Sequence, residues 1–254
     1  MRLLGMVALF SLSFSAAAQT GSDPRAVSLA QQSVAALTGG QAVGDVTLNA
    51  NVTSIIGPDT ETGTAVFRGK GLSESRVDLN LSGGTISEAR NVPTKLTGAW
   101  NKNGGTPVPQ VGHNTVTDAS WFFPALSSLA QSANPNYLFK YLGQVQHNGV
   151  STQHIQVSLS AVAGAPFLPR LSATDFYLST ANFLPLAVDF NVHPDNDMNK
   201  DIPVEILFAN YQTVTGVKVP FHFQKLLNGS VVLDATVTGA AMNTGVPDTT
   251  FTLP

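Results

Sequence analysis

"VEILFANYQTVTGVKVPFHFQKLLNGSVVLDATVTGAAMN", residues Val204–Asn243, holds three runs of β-forming residues separated by two turn signals. Val, Ile, Phe, Tyr and Thr dominate the runs, and these residue types fit a pleated, half-buried surface. Gly216 marks one turn. Asn228-Gly229 marks the other, a dipeptide suited to the positive φ of a type I′ hairpin. In the last run Val231, Leu233, Ala235 and Val237 alternate with Val232, Asp234, Thr236 and Thr238. Such alternation gives each strand one apolar and one polar face, the pattern of an antiparallel sheet covered on one side.

The same pattern extends outward. "SRVDLNLSG" sets Val77, Leu79 and Leu81 against Asp78 and Asn80. "LFKYLGQVQHNGVSTQHIQVSLSAV" is a hairpin centred on Asn148-Gly149, with Ile155, Val157 and Leu159 in the apolar phase. "VTLNANVTSI", "AVFRGKG", "TISEARNV" and two runs within "TDFYLSTANFLPLAVDFNV" add further strands. The signals amount to about ten or eleven strands, with no fixed repeat period. Sheets of that size curl. The Gly-, Asn- and Pro-rich region from Thr97 to His113 reads as loop around Trp100.

Two helices interrupt the sheet. Asp23 caps the first, Pro24 starts it and Gly39-Gly40 stops it, with Val27, Ala30, Val34 and Leu37 on one side. In "TDASWFFPALSSLAQSANPN", Asp118 is positioned to cap a second helix, Pro124 to start it and Pro135 to stop it. Leu126, Leu129 and Ala130 have helical spacing there. Trp121-Phe122-Phe123 is the densest aromatic cluster of the chain. Consecutive aromatics do not all face one way in a regular element, so at least one is expected outside the main core. The fold class is therefore mainly β with two or three helices: a curved antiparallel sheet, an unclosed β-barrel wrapping its helices.

Composition excludes several functions. Only 11% of residues are charged, against roughly 25% in an average soluble domain. With no Cys, disulfides, thiol chemistry and a Cys-attached lipid anchor are out. A net charge of −3 offers no footprint for nucleic acid or for anionic membranes. "MRLLGMVALFSLSFSAAAQ" has a basic start, an apolar run and small residues at Ala16 and Ala18, the layout of a secretory signal peptide cleaved after Ala18. Its apolar run is short of the roughly 20 residues that span a bilayer. Residues 1–18 are thus read as signal peptide and residues 19–254 as one domain, periplasmic or secreted, with no integral membrane segment after cleavage.

Four features resemble the periplasmic lipoprotein carriers of the LolA-like superfamily. They are the strand pair Asp175–Phe190 with Leu184-Pro185, the "Val-x-Val-Pro" step within Tyr211–Pro220, the ending from Asn243 with Asp248 and Phe251, and the first helix. The resemblance implies an unclosed barrel whose apolar concave face, lidded by helices, shelters lipid acyl chains. It implies a non-enzymatic carrier with a lipid or lipidated protein as partner. It also implies an arginine that latches the lid, with Arg25, Arg68, Arg76, Arg90 and Arg170 all open as candidates. Trp121, Phe122, Phe123, Leu126 and Leu129 are the expected ligand-binding residues. The alternative is a structural or protein-interaction module whose interior is filled by its own side chains.

The residues themselves offer little chemistry. Asp195, Asp197, Asn199 and Asp201 have the spacing of a calcium loop, but Lys200 stands where the sharp turn needs Gly and Ile206 where a bidentate Glu belongs. A solvated loop explains the run as well. His113, His147, His154, His193 and His222 contain no i, i+4 pair, and His154 and His222 fall in the polar phase of their strands, where solvent exposure is expected. No Gly-x-Ser-x-Gly elbow, phosphate loop or dinucleotide fingerprint is present. No catalytic residue, metal or cofactor is assigned.

Overall fold

The computed structural model describes residues 21–91 and 98–253. The expected signal peptide and its cleavage site lie outside the described residues. The strands are β1 Asp45–Ile56, β2 Asp59–Lys70, β3 Glu74–Leu81, β4 Gly84–Arg90, β5 Gly98–Lys102 and β6 Val108–Pro109. They continue with β7 Tyr137–His147, β8 Val150–Leu159, β9 Thr174–Ser179, β10 Pro185–Val192, β11 Ile202–Val214, β12 Val217–Leu227 and β13 Ser230–Met242. All belong to one 13-stranded sheet in the order β6-β5-β4-β3-β2-β1-β13-β12-β11-β10-β9-β8-β7. Two meanders, β1–β6 and β7–β13, are thus joined along the antiparallel β1–β13 pair, where Val46 faces Met242 and Ser54 faces Leu233.

The three strands of Val204–Asn243 form as their pattern predicts, and both turns have positive φ: Thr215-Gly216 and Asn228-Gly229. Asn148-Gly149 turns the β7–β8 hairpin in the same way. Val77, Ile155, Val157, Leu233, Ala235 and Val237 are all buried in one continuous core, so the alternating runs share a single apolar face.

The sheet is not closed, because β6 and β7 end the strand order without pairing to each other. Its curvature is visible in contacts across the apolar face. β2 and β12 are three steps apart, about 14 Å along a flat sheet, yet the rings of Phe67 and Phe223 lie 5.0 Å apart. The turn Gly112–Asn114 beyond β6 reaches the end of β10, where Asn114 Nδ2 donates to the His193 carbonyl (2.7 Å) and Asn114 Oδ1 accepts from its N–H (2.8 Å). Helix α1, Pro24–Thr38, packs on this face with Ala26, Leu29, Ala30, Ser33 and Leu37 buried. Val27 and Val34 are only partly buried, so the buried stripe is rotated from the expected one.

Four local expectations are corrected. The region Thr97–His113 is not all loop: β5 and β6 lie in it, adding an edge that Gly and Pro content concealed. The chain carries an extra helical turn, α2, Leu168–Leu171. No α-helix starts at Pro124. Instead two 3₁₀ turns, Pro124–Leu126 and Ser128–Gln131, are broken by Ser127 in extended conformation. Serine side chains cause the break: Ser127 Oγ donates to the Pro124 carbonyl (2.7 Å) and the Asp118 carboxylate takes the Ser128 N–H (2.9 Å), local bonds that compete with helix. Finally, Trp121, Phe122 and Phe123 are all buried, at 8%, 0% and 0% exposure. An irregular segment frees consecutive side chains from a fixed period, so all three point into the core.

Candidate functional site

The segment from Thr115 to Gln131 enters the concavity. Its aromatic residues form one cluster with the sheet: Phe122 lies 5.2 Å from Phe67, and Trp121 lies edge-on at 6.1 Å from both Phe67 and Phe223. Leu126 and Leu129 are buried beside them. Gly69 of β2 permits the close approach, since a Cβ there would sit 2.2 Å from Ser120 Oγ. All five expected ligand-binding residues are therefore together under the sheet, and they touch protein. The two cavities beside the segment hold about 120 Å³ and about 10 Å³, well below the roughly 300 Å³ of a small-ligand pocket. The concavity is closed by its own side chains.

A few polar ties hold this segment. Arg90, on the inner face of β4 with a side chain 7% exposed, donates from Nη1 to the Thr117 carbonyl at 3.1 Å. Its Nε is buried without a hydrogen-bond partner, and Glu88 Oε1 stands 4.0 Å away. Gln110 Nε2 donates to Glu88 (2.9 Å) while Gln110 Oε1 is left unpartnered. From β12, Lys225 places Nζ 4.6 Å from the centre of the Trp121 ring. Burial pushes Glu88 up, but Lys225, Arg90 and Gln110 together outweigh it and leave the carboxyl below its ordinary range. Burial lowers both Arg90 and Lys225, against the opposing pull of Glu88. Asp118 is pushed up to about 6 by burial, which exceeds the effect of its two bonds from Ser128 and of Arg90.

Among the five arginines, Arg90 alone makes a described bond to this segment. Arg25 stacks on Tyr141, Arg68 and Arg76 pair with Asp78 on the opposite face, and Arg170 pairs with Asp201. Sequence reasoning left the five equivalent. The signal for Arg90 was available in its phase: it shares the face of Ile86, which is in register with the inward Leu79.

The opposite face of the sheet carries a second cluster. His147 and His154 both stack on Tyr177, with centroids 3.9 and 4.5 Å away. His147 meets Glu205 at 2.9 Å and His154 meets Asp175 at 2.8 Å. His154 is thus not free in solvent, and His222 likewise sits 3.2 Å from Asp234; each polar-phase histidine has found a carboxylate. Asp175, Asp189 and Glu205 also line an open groove of about 690 Å³. Burial and Glu205 push Asp189 up to about 6. In the loop read as calcium-like, Asp201 is taken by Arg170 and His193, and Asp197 accepts the Asn199 N–H. Among the described residues no three His, Asp or Glu converge to hold a metal.

No protein-family model matches the chain, and no curated protein matches it. Solved structures do. An outer membrane lipoprotein-sorting protein domain from Vibrio parahaemolyticus aligns with TM-score 0.57 and 12% identity over 89% of this chain and 96% of its own. A LolA superfamily protein from Nitrosomonas europaea gives TM-score 0.51 and 10% identity over 89% and 97%. The chain shares its fold with these two structures. A DUF1329 family protein from Desulfovibrio piger shares it, with TM-score 0.55 and 11% identity over 91% and 98%. At these identities the likeness lies in the course of the chain, not in individual side chains.

Proposed function

We propose that the chain is an exported, non-enzymatic carrier that shelters the acyl chain of a lipid or lipidated protein in its concavity, and that the structure is its closed state. Residues 1–18 act as the export signal and residues 19–254 as the single carrier domain in the periplasm or outside the cell. The observation that carries this reading is the aromatic segment itself. It fills a LolA-like concavity with side chains on irregular backbone, tied down by few polar bonds and with unpartnered polar atoms on Arg90 and Gln110 beside it.

Energetics define how such a segment would act. A 16-carbon chain gains about 13 kcal/mol gross at about 0.8 kcal/mol per buried methylene, and association takes back about 4–15 kcal/mol. Exposing Trp121, Phe122, Phe123, Leu126 and Leu129 to water would cost a further 7–15 kcal/mol or so, at about 1.5–3 kcal/mol each. Expulsion into solvent would cancel binding. The segment must instead shift and repack its aromatic side chains on the entering chain, as a lid. Arg90 is the latch of the closed form.

The filled interior equally describes a protein-interaction module that never opens. Organic extraction and mass spectrometry of the mature protein from its native envelope separate the two. The carrier reading predicts recovered acyl-chain lipid in near-stoichiometric amount. Polypeptide with no lipid, before and after incubation with vesicles, would support the module.

A further inference from the structure

The proposed carrier site has a polar end, and its charges are unbalanced. Among the described residues, three cationic side chains stand on the inner phase of the sheet. Lys225 lies over Trp121, Arg90 lies beneath the inserted segment, and Lys102 is exposed opposite Ile86 on β5. The one carboxylate among them is Glu88, whose Oε1 already accepts from Gln110 and remains 4.0 Å from Arg90. Asp118 also acts on Arg90, but its Oδ2 is held by the N–H and hydroxyl of Ser128, both at 2.9 Å. Among the described residues no carboxylate oxygen comes within 4.0 Å of Lys225 Nζ. The Arg90 Nε–H, fully buried, has no acceptor.

These groups sit at a boundary. On one side is the packed cluster of Phe67, Trp121, Phe122 and Phe223. On the other is the β3–β6 wing, which leaves Trp100 at 43% and Val108 at 45% exposure on the same face as Glu88. A cation and an orphaned guanidinium donor beside apolar surface fit an amphiphile: the chain under the lid and an anionic head at the boundary.

We infer that Lys225 and Arg90 form a head-group subsite that selects amphiphiles with an anionic head, carboxylate or phosphate, over neutral ones. This rests on the carrier reading. An anion accepting from Lys225 Nζ and Arg90 Nε–H satisfies a donor that the closed state leaves without a partner, and charge-assisted bonds of this kind are the strong ones. Lifting Trp121 uncovers Lys225, so lid opening and head-group binding act together.

The test compares hexadecanoate, hexadecyl phosphate and 1-hexadecanol as competitors of a fluorescent fatty acid on the mature protein. Hexadecanoate should bind at least about tenfold more tightly than the alcohol, the effect of one charge-assisted bond. Lys225→Met, which keeps an apolar stem over Trp121, should bring the acid-to-alcohol ratio close to one, and Lys225→Arg should restore it. Melting curves identify any variant that fails to fold, and Lys225→Gln, which also removes the charge, then replaces Lys225→Met in the comparison. A tighter hexadecyl phosphate assigns the head as phosphate, a tighter hexadecanoate as carboxylate. Competition by inorganic phosphate or butyrate as strong as by the long-chain anions would overturn a lipid head-group site. Equal binding of acid and alcohol to wild type, or a preference that survives Lys225→Met, overturns the subsite while leaving the carrier intact. Binding of none of the three overturns both.

Discussion

Replacing Phe122 by Ala separates the lid from a permanent core more sharply than any other single change. Phe122 is fully buried and packs its ring on Phe67 at 5.2 Å and Trp121 at 5.6 Å. With only about 10 and 120 Å³ of cavity nearby, the site cannot collapse cheaply. The truncation should cost the closed state about 3–5 kcal/mol, the usual range for a core Phe. At about 2–4 °C per kcal/mol for a chain of this size, the melting temperature falls by roughly 6–20 °C. The loaded state also loses the ring, but as contact with a mobile chain, about 1.5–3 kcal/mol. The closed state therefore suffers more, by about 0–3.5 kcal/mol, and because apparent affinity scales with the population of the binding-competent form, Phe122→Ala should bind hexadecanoate as tightly as wild type or more tightly, by up to a few hundredfold. Paired melting curves and fatty-acid titrations give both numbers. A large melting-temperature loss with affinity weakened by more than tenfold would refute closure as a competitor of ligand. The same loss with no binding by either protein would refute the lid altogether.

Other changes have equally definite consequences. Arg90→Met removes the donor to Thr117 and should raise hydrogen exchange and proteolysis across 115–131 before any global unfolding; uniform protection would mean that Arg90 is no latch. Asp118 titrates near 6 in the fold against 3.8 unfolded, so the folded state holds the proton more tightly and stability is lost as pH rises through that window. His193, lowered by burial, acts in the opposite sense over the same range, so the contribution of Asp118 is read by difference: the melting-temperature advantage of wild type over Asp118→Asn should be larger at pH 5 than at pH 7.5, with Asp189, raised in the same direction as Asp118, common to both proteins. Gly69→Ala places a Cβ 2.2 Å from Ser120 Oγ and should loosen the inserted segment, seen as faster cleavage after Trp121–Phe123, whereas the same change at Gly239, where a Cβ meets nothing nearer than 3.9 Å, should not. Gly39→Ala forces a side chain into the left-handed C-cap of α1, 2.9 Å from the Gly216 carbonyl. It should lower stability by about 1–2 kcal/mol, measured by urea unfolding.

The sheet was legible because its rule is local. Val231 to Val237 and Ile155 to Val157 declare their faces by alternation, and Asn148-Gly149 and Asn228-Gly229 declare their turns by the positive φ they require. The β5–β6 edge was not legible, since strands of 5 and 2 residues within Gly- and Pro-rich sequence owe their pairing to β4 rather than to their own pattern. The inserted segment misled in the opposite sense. Leu126 and Leu129 have helical spacing, but Asp118, Ser127 and Ser128 divert the backbone bonds that a helix needs. That same irregularity lets Trp121, Phe122 and Phe123 all turn inward, which no period would suggest. The polar groups beneath them come together only through curvature. Glu88 and Lys225 lie on strands five steps apart, about 24 Å along a flat sheet, and nothing in either strand announces the other.

Fluorescence of the mature Trp100→Phe protein, in which Trp121 is the one remaining tryptophan, tests the central claim most directly. Bromine atoms placed mid-chain in a dibrominated octadecanoate quench indole on contact. The account predicts saturable quenching of Trp121, reversed by unbrominated hexadecanoate, because the acyl chain enters the concavity beneath the inserted segment. Trp121 emission that stays unchanged while the brominated acid is shown to be bound elsewhere, or not bound at all, would contradict it.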